Sequence, residues 1–560
     1  MSTSLRSQLR LALRSAGALE STRRARAAIA RLTRRVSIRR LLAERRQFLK
    51  FADRYGAALT RSGLSAPAHS KTALIVGRIG RTPEAQVMAA RVLQWAGYTP
   101  TVLLLNTDDR YLRRYLDLAG VHTLEWPTAA QPARFINEAR ALLGRCHSLQ
   151  AVLDLESEGV RVGRSALSTT LRVSQVGLLE LDVTADDPRL IRGMAAALAA
   201  ARTAREVIGR VAPALTLSYE MEYTPKRELF DATLARGGMV VSTCRAPRRD
   251  ALLLKRYTAA ASHDHPTSLS AASWQSIQHM PWTAAHRLEL ETVVRQCYES
   301  GDWWGVPPAH QRNAGSPSDV RTRLGLDPSK KTAFIFPHVP WDASFCWGAD
   351  VFGDYQTWLL ETLRAACDNP RVNWVVKIHP ANLDKSVRMR DGADPIEIGA
   401  IRHHLGTLPS HVVLLRPETE ISTLSLFAVM DYCLTVRGTV GLEAASRGIP
   451  VLTGGTGRYD RRGFTIDSES ASQYLERVKR IEDIPAMTAT EQDLAARFAY
   501  GMFVLRPVAL EPALARCLAM GHESRTDVRS RGPEIASLIA WLRDSVGEDF
   551  LGRDPFVKGL

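Results

Sequence analysis

Long apolar runs are missing from this 560-residue chain. No uninterrupted stretch approaches the roughly 20 residues that a membrane-spanning helix requires. A chain that is 45% apolar therefore reads as globular, either soluble or bound at a surface. Cysteine is scarce and scattered, with residues 146, 244, 297, 346, 367, 433 and 517 forming no CxxC pair. That pattern excludes a zinc-finger or disulfide framework and fits a reducing, cytoplasmic compartment. Metal-ligand spacing is lacking too. His263-Asp264-His265 and His403-His404 have no further ligands at matched spacing, and Asp108-Asp109 is not an acid-x-acid pair, so neither a metal nor another cofactor is expected.

Acids are nearly absent from the start of the chain. Residues 1–50 hold thirteen arginines and one lysine against Glu20 and Glu44, a net +12 of the chain's +16. Few aromatics interleave with these bases, which argues against nucleic acid as a partner. Leu5, Leu9, Leu13, Ala16 and Leu19, then Ala28, Leu32 and Val36, recur at roughly helical spacing with arginines on the other faces. Residues 1–68 are therefore expected to form a basic amphipathic helical arm. Attachment of residues 1–60 to an anionic membrane surface and packing on the body or a partner fit this pattern about equally. A transit peptide has similar composition but needs less length.

What is present after the arm is alternating strand and helix. KTALIVG reads as a strand, Pro83 to Ala96 as a helix closed by Gly97, and TPTVLLL as a second strand, which makes a βαβ unit and hence a parallel sheet. Gln150 to Leu155, Leu215 to Tyr219 and Met239 to Thr243 are further strand candidates, with a helix at Pro225 to Ala235. Residues 69–250 are thus expected to form a first Rossmann-like domain, and 251–319 a helical connection and linker. A second such domain, 320–505, starts at LGLDPSKKTAFIFPHV, with a helix at Trp358 to Ala366, strands at Val372 to Val376, VVLLRP and Tyr432 to Val436, and a helix from Val440 to Arg447. Helices at Glu511 to Ala519 and Pro533 to Val546, within 506–560, are expected to pack back on the body. The fold class is α/β, two Rossmann-like domains facing across a cleft.

In an open parallel sheet ligands bind beyond the carboxyl ends of the strands. On the second domain Lys377, His379 and Pro380 follow a buried strand, so that the lysine supplies charge and the histidine can donate to a phosphate or leaving group. A structural strand-end histidine has the same pattern. Thr439 lies in the turn Arg437-Gly438-Thr439, placed to cradle a phosphate, and Glu443 follows four residues later on the same helical face, placed to accept ribose hydroxyls. Gly455 and Arg458, in a glycine-rich loop, read as another wall of this pocket, with Arg462 a second candidate for phosphate. His338, Trp341 and Asp342 follow the domain's first strand and are cleft candidates. On the first domain Gly77, Glu84, Arg161 and Arg164 are candidates for the acceptor side. A transfer enzyme needs a carboxylate there as base or nucleophile. Glu156, Glu158, Glu220 and Glu222 offer one, with Glu158 and Glu222 preferred.

KIHPAN, TVRGTVGLEAASRGIPVLTGG and RYDRRGFT together resemble bacterial capsule polysaccharide biosynthesis proteins, the group that includes the capsular Kdo transferases. More loosely they resemble other two-Rossmann glycosyltransferases with an HP motif. The likeness is strongest over 320–505 and weaker over 70–245. It implies a GT-B-type fold, a nucleotide-sugar donor on the second domain and a glycan or glycolipid acceptor on the first, with His379 and Pro380 matching the HP motif, Thr439 the hydroxyl turn and Glu443 the acid of the next helix. Arg437-Gly438-Thr439 replaces the paired serines common in that turn, which leaves a CMP- or UDP-linked donor open. The expected activity is metal-independent sugar transfer to a surface polysaccharide or lipid-linked glycan, at the inner face of the cytoplasmic membrane. A nucleotide-sugar 2-epimerase-like isomerase and a non-catalytic, membrane-docked sugar-nucleotide-binding protein are the alternatives.

Overall fold

A computed structural model describes residues 38–61, 70–79, 83–105, 110–127, 131–183, 187–249, 251–305, 311, 315–342, 344–382, 394–509, 533–544 and 547–553. Two six-stranded sheets organise them. The first contains β1 Lys71–Val76, β2 Tyr98–Leu104, β3 His122–Glu125, β4 Leu215–Tyr219, β5 Met239–Arg245 and β6 Leu252–Tyr257. The second contains β7 Thr332–Ile335, β8 Asn373–Lys377, β9 Val412–Leu415, β10 Tyr432–Thr435, β11 Val451–Thr453 and β12 Ile466–Asp467.

The orders are β3-β2-β1-β4-β5-β6 and β12-β11-β10-β7-β8-β9, so each sheet follows the doubly wound order 3-2-1-4-5-6 counted from its own first strand. All pairs are parallel except β5 with β6. The expected α/β fold of two facing Rossmann-like units is what the chain forms. Parallel strands covered by helices on both faces read as unbroken apolar runs, and Ala73 to Val76 of β1 are all fully buried.

Two expectations fail. Gln150 to Leu155 is not a strand. The chain there forms the short helix Leu149–Leu153, begun by Ser148, whose hydroxyl accepts from the Ala151 N–H at 3.2 Å. The short apolar run is equally a helix face, and an N-cap serine decided the matter. The segment 251–319 is also not a helical connection throughout. It opens with β6, which closes the edge of the first sheet, and only then come the helices Ala271–His279 and Ala284–Ser300.

Of the basic arm, residues 1–37 lie outside the described residues, as does the helix expected at Glu511 to Ala519. Ile38–Arg61 is one helix docked on the first unit, where Phe51, Tyr55 and Leu59 are buried and the Phe51 ring lies 4.9 Å from that of Tyr115. The chain returns to the first unit in residues 533–553. Helix Pro533–Asp544 buries Ile535, Leu538 and Ile539 in the same core as Val87 and Leu93. Below it, Lys255 of β6 meets Asp549 at 3.2 Å, with Arg506 at 3.6 Å from the same oxygen and all three side chains fully buried.

Candidate functional site

Where the strand order reverses, neighbouring crossovers lie on opposite faces and leave a crevice at the carboxyl edge. In the second sheet that point lies between β7 and β10. The residues that follow these strands, Phe336 to His338 and Arg437 to Thr439, line a cavity of about 400 Å³. In the first sheet it lies between β1 and β4, and the segment after β4, Glu220 to Tyr223, lines the same cavity from the opposite side. The cleft is closed by polar contacts across it. Trp347 donates its Nε1–H to Glu222 Oε1 at 3.1 Å, and Tyr223 and Arg172 both donate to Asp342 Oδ1, at 2.9 and 3.0 Å.

Lys377 ends β8 and is only 2% exposed. The residue lines the cavity, and its buried ammonium has no hydrogen-bond partner among the described residues. Burial without a counter-charge lowers its pKa to about 8. Opposite, Glu222 Oε1 is held by Trp347 while Oε2 is buried and has no partner among the described residues. Burial, and then the neighbouring Glu220 charge, raise its pKa to about 7. A buried lysine and a buried glutamate, each with a polar atom unpartnered among the described residues, thus line one cavity from two sheets. Leaving such groups unsatisfied costs about 1–3 kcal/mol each or more, a cost that a ligand would relieve.

His379 and Pro380, beyond β8, line the cavity with Lys377. Nδ1 of His379 accepts from the Ala381 N–H at 3.1 Å, which leaves Nε2 as the donor nitrogen of the neutral ring. His338 is pinned from the other side. Its Nε2 accepts from the Arg437 N–H at 3.2 Å, its ring stacks on Tyr355 at 4.5 Å, and burial followed by the Arg437 charge lowers its pKa to about 3. It is therefore neutral. Arg458 donates to Thr267 Oγ1 at 2.7 Å and to the Arg437 carbonyl at 3.1 Å, and burial lowers its pKa to about 10. It pairs with no carboxylate among the described residues and is, with Lys377, the second cation of the cavity lining left without one.

Gly438 and Thr439 line the cavity at the start of helix Thr439–Ala445. A side chain at Gly441, one turn on, would place a Cβ 2.2 Å from the Tyr459 hydroxyl, which donates to the Gly438 carbonyl at 2.6 Å. The second glycine of GTVGLE thus makes room for the strut that holds the turn.

Several expected residues are placed elsewhere. Glu443 borders the cavity, but its oxygens accept from Tyr298 Oη at 2.6 Å and Trp303 Nε1 at 3.1 Å. A carboxylate read as a ribose acceptor is a buried tie to the connecting segment. Arg437 also reaches the cavity wall, yet its guanidinium is taken up by Asp350 and the carbonyls of Trp347 and Ala349. Gly455 lies behind it, bridged to Asp350 and outside the cavity lining.

On the first unit, Glu158 is half exposed, pairs with Arg205 and does not line the cavity. Its segment, read as following a strand, follows a helix and points elsewhere. Arg161 pairs with Asp231 at 2.6 Å and Arg164 donates to the Phe345 carbonyl at 3.1 Å; both lie outside the lining. Glu84 accepts from Gln47 of the arm helix at 3.3 Å, and the Gly77 carbonyl accepts from Gln86, so neither reaches the cleft. Trp341 is core, and Arg462 donates to the Leu269 carbonyl. The cleft also uses residues that the sequence did not assign to it, Arg172, Tyr223, His265, Tyr298, Trp303 and Trp304. The adjacent Trp303-Trp304 pair was the one visible signal for the connecting segment, and its register gave no direction. Among the described residues no group of three or more His, Cys, Asp or Glu is arranged to hold a metal ion.

No protein-family model and no curated protein matches the chain. Solved structures do resemble it. The Thermosulfurimonas dismutans KpsC beta Kdo 2,4 transferase is similar at 15% identity over 52% of this chain and 80% of that one, with a TM-score of 0.34. UDP-GlcNAc 2-epimerase from Neisseria meningitidis, bound to UDP-GlcNAc, is similar at 14% identity over 77% and 96%, with a TM-score of 0.26. The Streptomyces sp. SF2575 glycosyltransferase SsfS6, complexed with thymidine diphosphate, is similar at 11% identity over 80% and 99%, with a TM-score of 0.25. At these values function has to be argued from the residues of the cleft.

Proposed function

We propose that the protein is a GT-B-type glycosyltransferase that moves a sugar from a CMP- or UDP-linked donor to a capsule-type surface polysaccharide or lipid-linked glycan, on the cytoplasmic side. One observation carries the reading: Lys377, whose ammonium has no partner among the described residues, and Glu222, whose Oε2 has none there either, line one cavity from opposite sheets. A phosphate-bearing donor satisfies the first and a sugar hydroxyl the second. A binding protein would need the cation but has no use for a carboxyl poised near neutrality.

In this reading Lys377 and Arg458 neutralise the donor phosphate without a metal ion, while His379 Nε2–H and the Thr439 hydroxyl donate to the leaving oxygen. The acceptor oxygen forms its bond to the anomeric carbon as the carbon–phosphate-oxygen bond breaks. The nucleotide departs with the electron pair, and Glu222 takes the acceptor's proton. The test is to incubate the full chain with CMP-, UDP-, GDP- and TDP-sugars, with and without glycan acceptors, and follow nucleotide release. Acceptor-dependent release that His379→Ala and Glu222→Gln abolish is the expected result. Conversion of a nucleotide-sugar to an epimer without acceptor would replace transfer by isomerisation. No nucleotide binding by the wild-type chain would sink both.

A further inference from the structure

Helix Ile38–Arg61 has a second face that its docking leaves open. Phe51, Tyr55 and Leu59 are inward, at 4%, 9% and 2% exposure, while Leu42 and Leu49 are each 54% exposed. The two leucines are seven residues apart, two turns at 3.6 residues per turn and so about 10 Å along one stripe. On that geometry they point roughly opposite to Phe51 and Tyr55. Arg45 and Arg46 lie between them and are exposed, as is Lys50 beside Leu49. Over the whole helix seven bases stand against Glu44 and Asp53; by helical spacing Glu44 falls on the inward side and Asp53, exposed one turn beyond Leu49, is the acid on the outward stripe. Elsewhere on the described surface the large exposed apolar residues Val173, Leu179 and Leu288 do not share a helix with such a run of bases.

We infer that this outward face is a docking surface for an anionic phospholipid bilayer, with Leu42 and Leu49 entering the acyl boundary while Arg45, Arg46 and Lys50 meet the headgroup phosphates. Charge complementarity decides the occupant. A membrane-surface helix needs apolar residues on one stripe with bases flanking it, which is what this face carries. Nucleic acid would use the bases but leave two leucines in water, and the outward stripe has no aromatic on which a base could stack. Nor is the helix a span: no helix among the described residues is long and apolar enough to cross a membrane. It would lie in the interface plane. Because the opposite face is fastened to the first unit, the body would be held against the bilayer rather than tethered at a distance. The inference does not depend on the transfer reading.

The test is co-sedimentation of the full chain with vesicles of phosphatidylcholine alone or mixed with phosphatidylglycerol, at low and high salt. The wild-type chain is expected to bind the anionic vesicles, to bind the neutral ones weakly, and to be released by salt. Each exposed base is worth on the order of fivefold in partitioning near an anionic surface, so R45E/R46E should weaken binding by at least about tenfold. Leu42→Ser/Leu49→Ser should weaken it severalfold at unchanged salt dependence. All four side chains point outward, so circular dichroism should show both variants folded. Failure of the wild-type chain to bind anionic vesicles would overturn the inference. So would unchanged binding in both double variants, which would move the contact off this face, and so would a preference for duplex nucleic acid over vesicles.

Discussion

Lys377 and Lys255 are both strand lysines with almost no exposed surface, and they are treated in opposite ways. Lys255 has a saturated environment. Its ammonium reaches Ser268 Oγ at 3.1 Å, the Ser268 carbonyl at 3.5 Å and Asp549 at 3.2 Å, and Arg506 shares that carboxylate. Lys377, at the carboxyl end of β8, has no such partner among the described residues and its pKa falls to about 8. Burying an ammonium costs several kcal/mol unless pairing offsets it. One lysine is part of a joint that is complete without a ligand. The other is left without a partner among the described residues, which is the basis for proposing that a ligand completes its site.

The comparison can be broken at either end. The largest effect is expected at the joint. Asp549→Ala leaves Lys255 and Arg506 buried without their carboxylate and should cost about 3–5 kcal/mol in denaturant unfolding. The two cations hold Asp549 at about 2, below the unfolded value near 3.9. Its stabilisation is therefore present above pH 4 and lost as pH falls toward 2, so the variant should lose the steep acid transition of the wild-type chain in that window. Next is the cleft carboxyl. Glu222→Gln should lower kcat by about 10²–10⁴-fold with the unfolding midpoint unchanged or raised. For the wild type, kcat/KM should climb with pH through about 7, because the base must be ionised.

Lys377→Met is smaller and more diagnostic. It removes an unpaired buried charge and should leave stability equal or higher, while nucleotide affinity falls by about 10- to 100-fold, the range of a charge-assisted contact. A large loss of stability instead would make Lys377 a structural lysine and erase the contrast with Lys255. The smallest effect is the wild-type pH response. Nucleotide affinity should decline gradually as pH rises through about 8, where the free ammonium gives up its proton, and titration calorimetry at several pH values would register it.

The second unit was the more legible half. Its parallel strands are short apolar runs with polar ends, so VNWVVKIHP and YCLTVRGT showed both the strand and the edge at which side chains gather. Lys377, His379, Pro380, Gly438, Thr439 and Arg458 do share one cavity. The first unit misled. Glu158, Arg161 and Arg164 follow a segment that reads as a strand and folds as a helix, and only Glu222 among the preferred acids reaches the cleft. A local pattern of apolar residues cannot separate a five-residue helix from a strand when both are buried. β6 was missed for a related reason, since an antiparallel edge strand is specified by its partner β5 as much as by its own residues.

Sequence by itself determined the alternation of strands and helices, the concentration of positive charge before residue 61, and the chemistry available at the strand ends, because periodicity, charge and residue type are local properties. Tertiary structure alone decided which of those groups are satisfied. Arg437 and Lys377 read alike along the chain, two bases beyond two buried strands. Asp350 and two carbonyls, brought in from a distant loop, occupy the first, and nothing among the described residues occupies the second. Whether a buried charge is a strut or a binding site depends on its partners, and these are set by contacts between residues far apart in the chain.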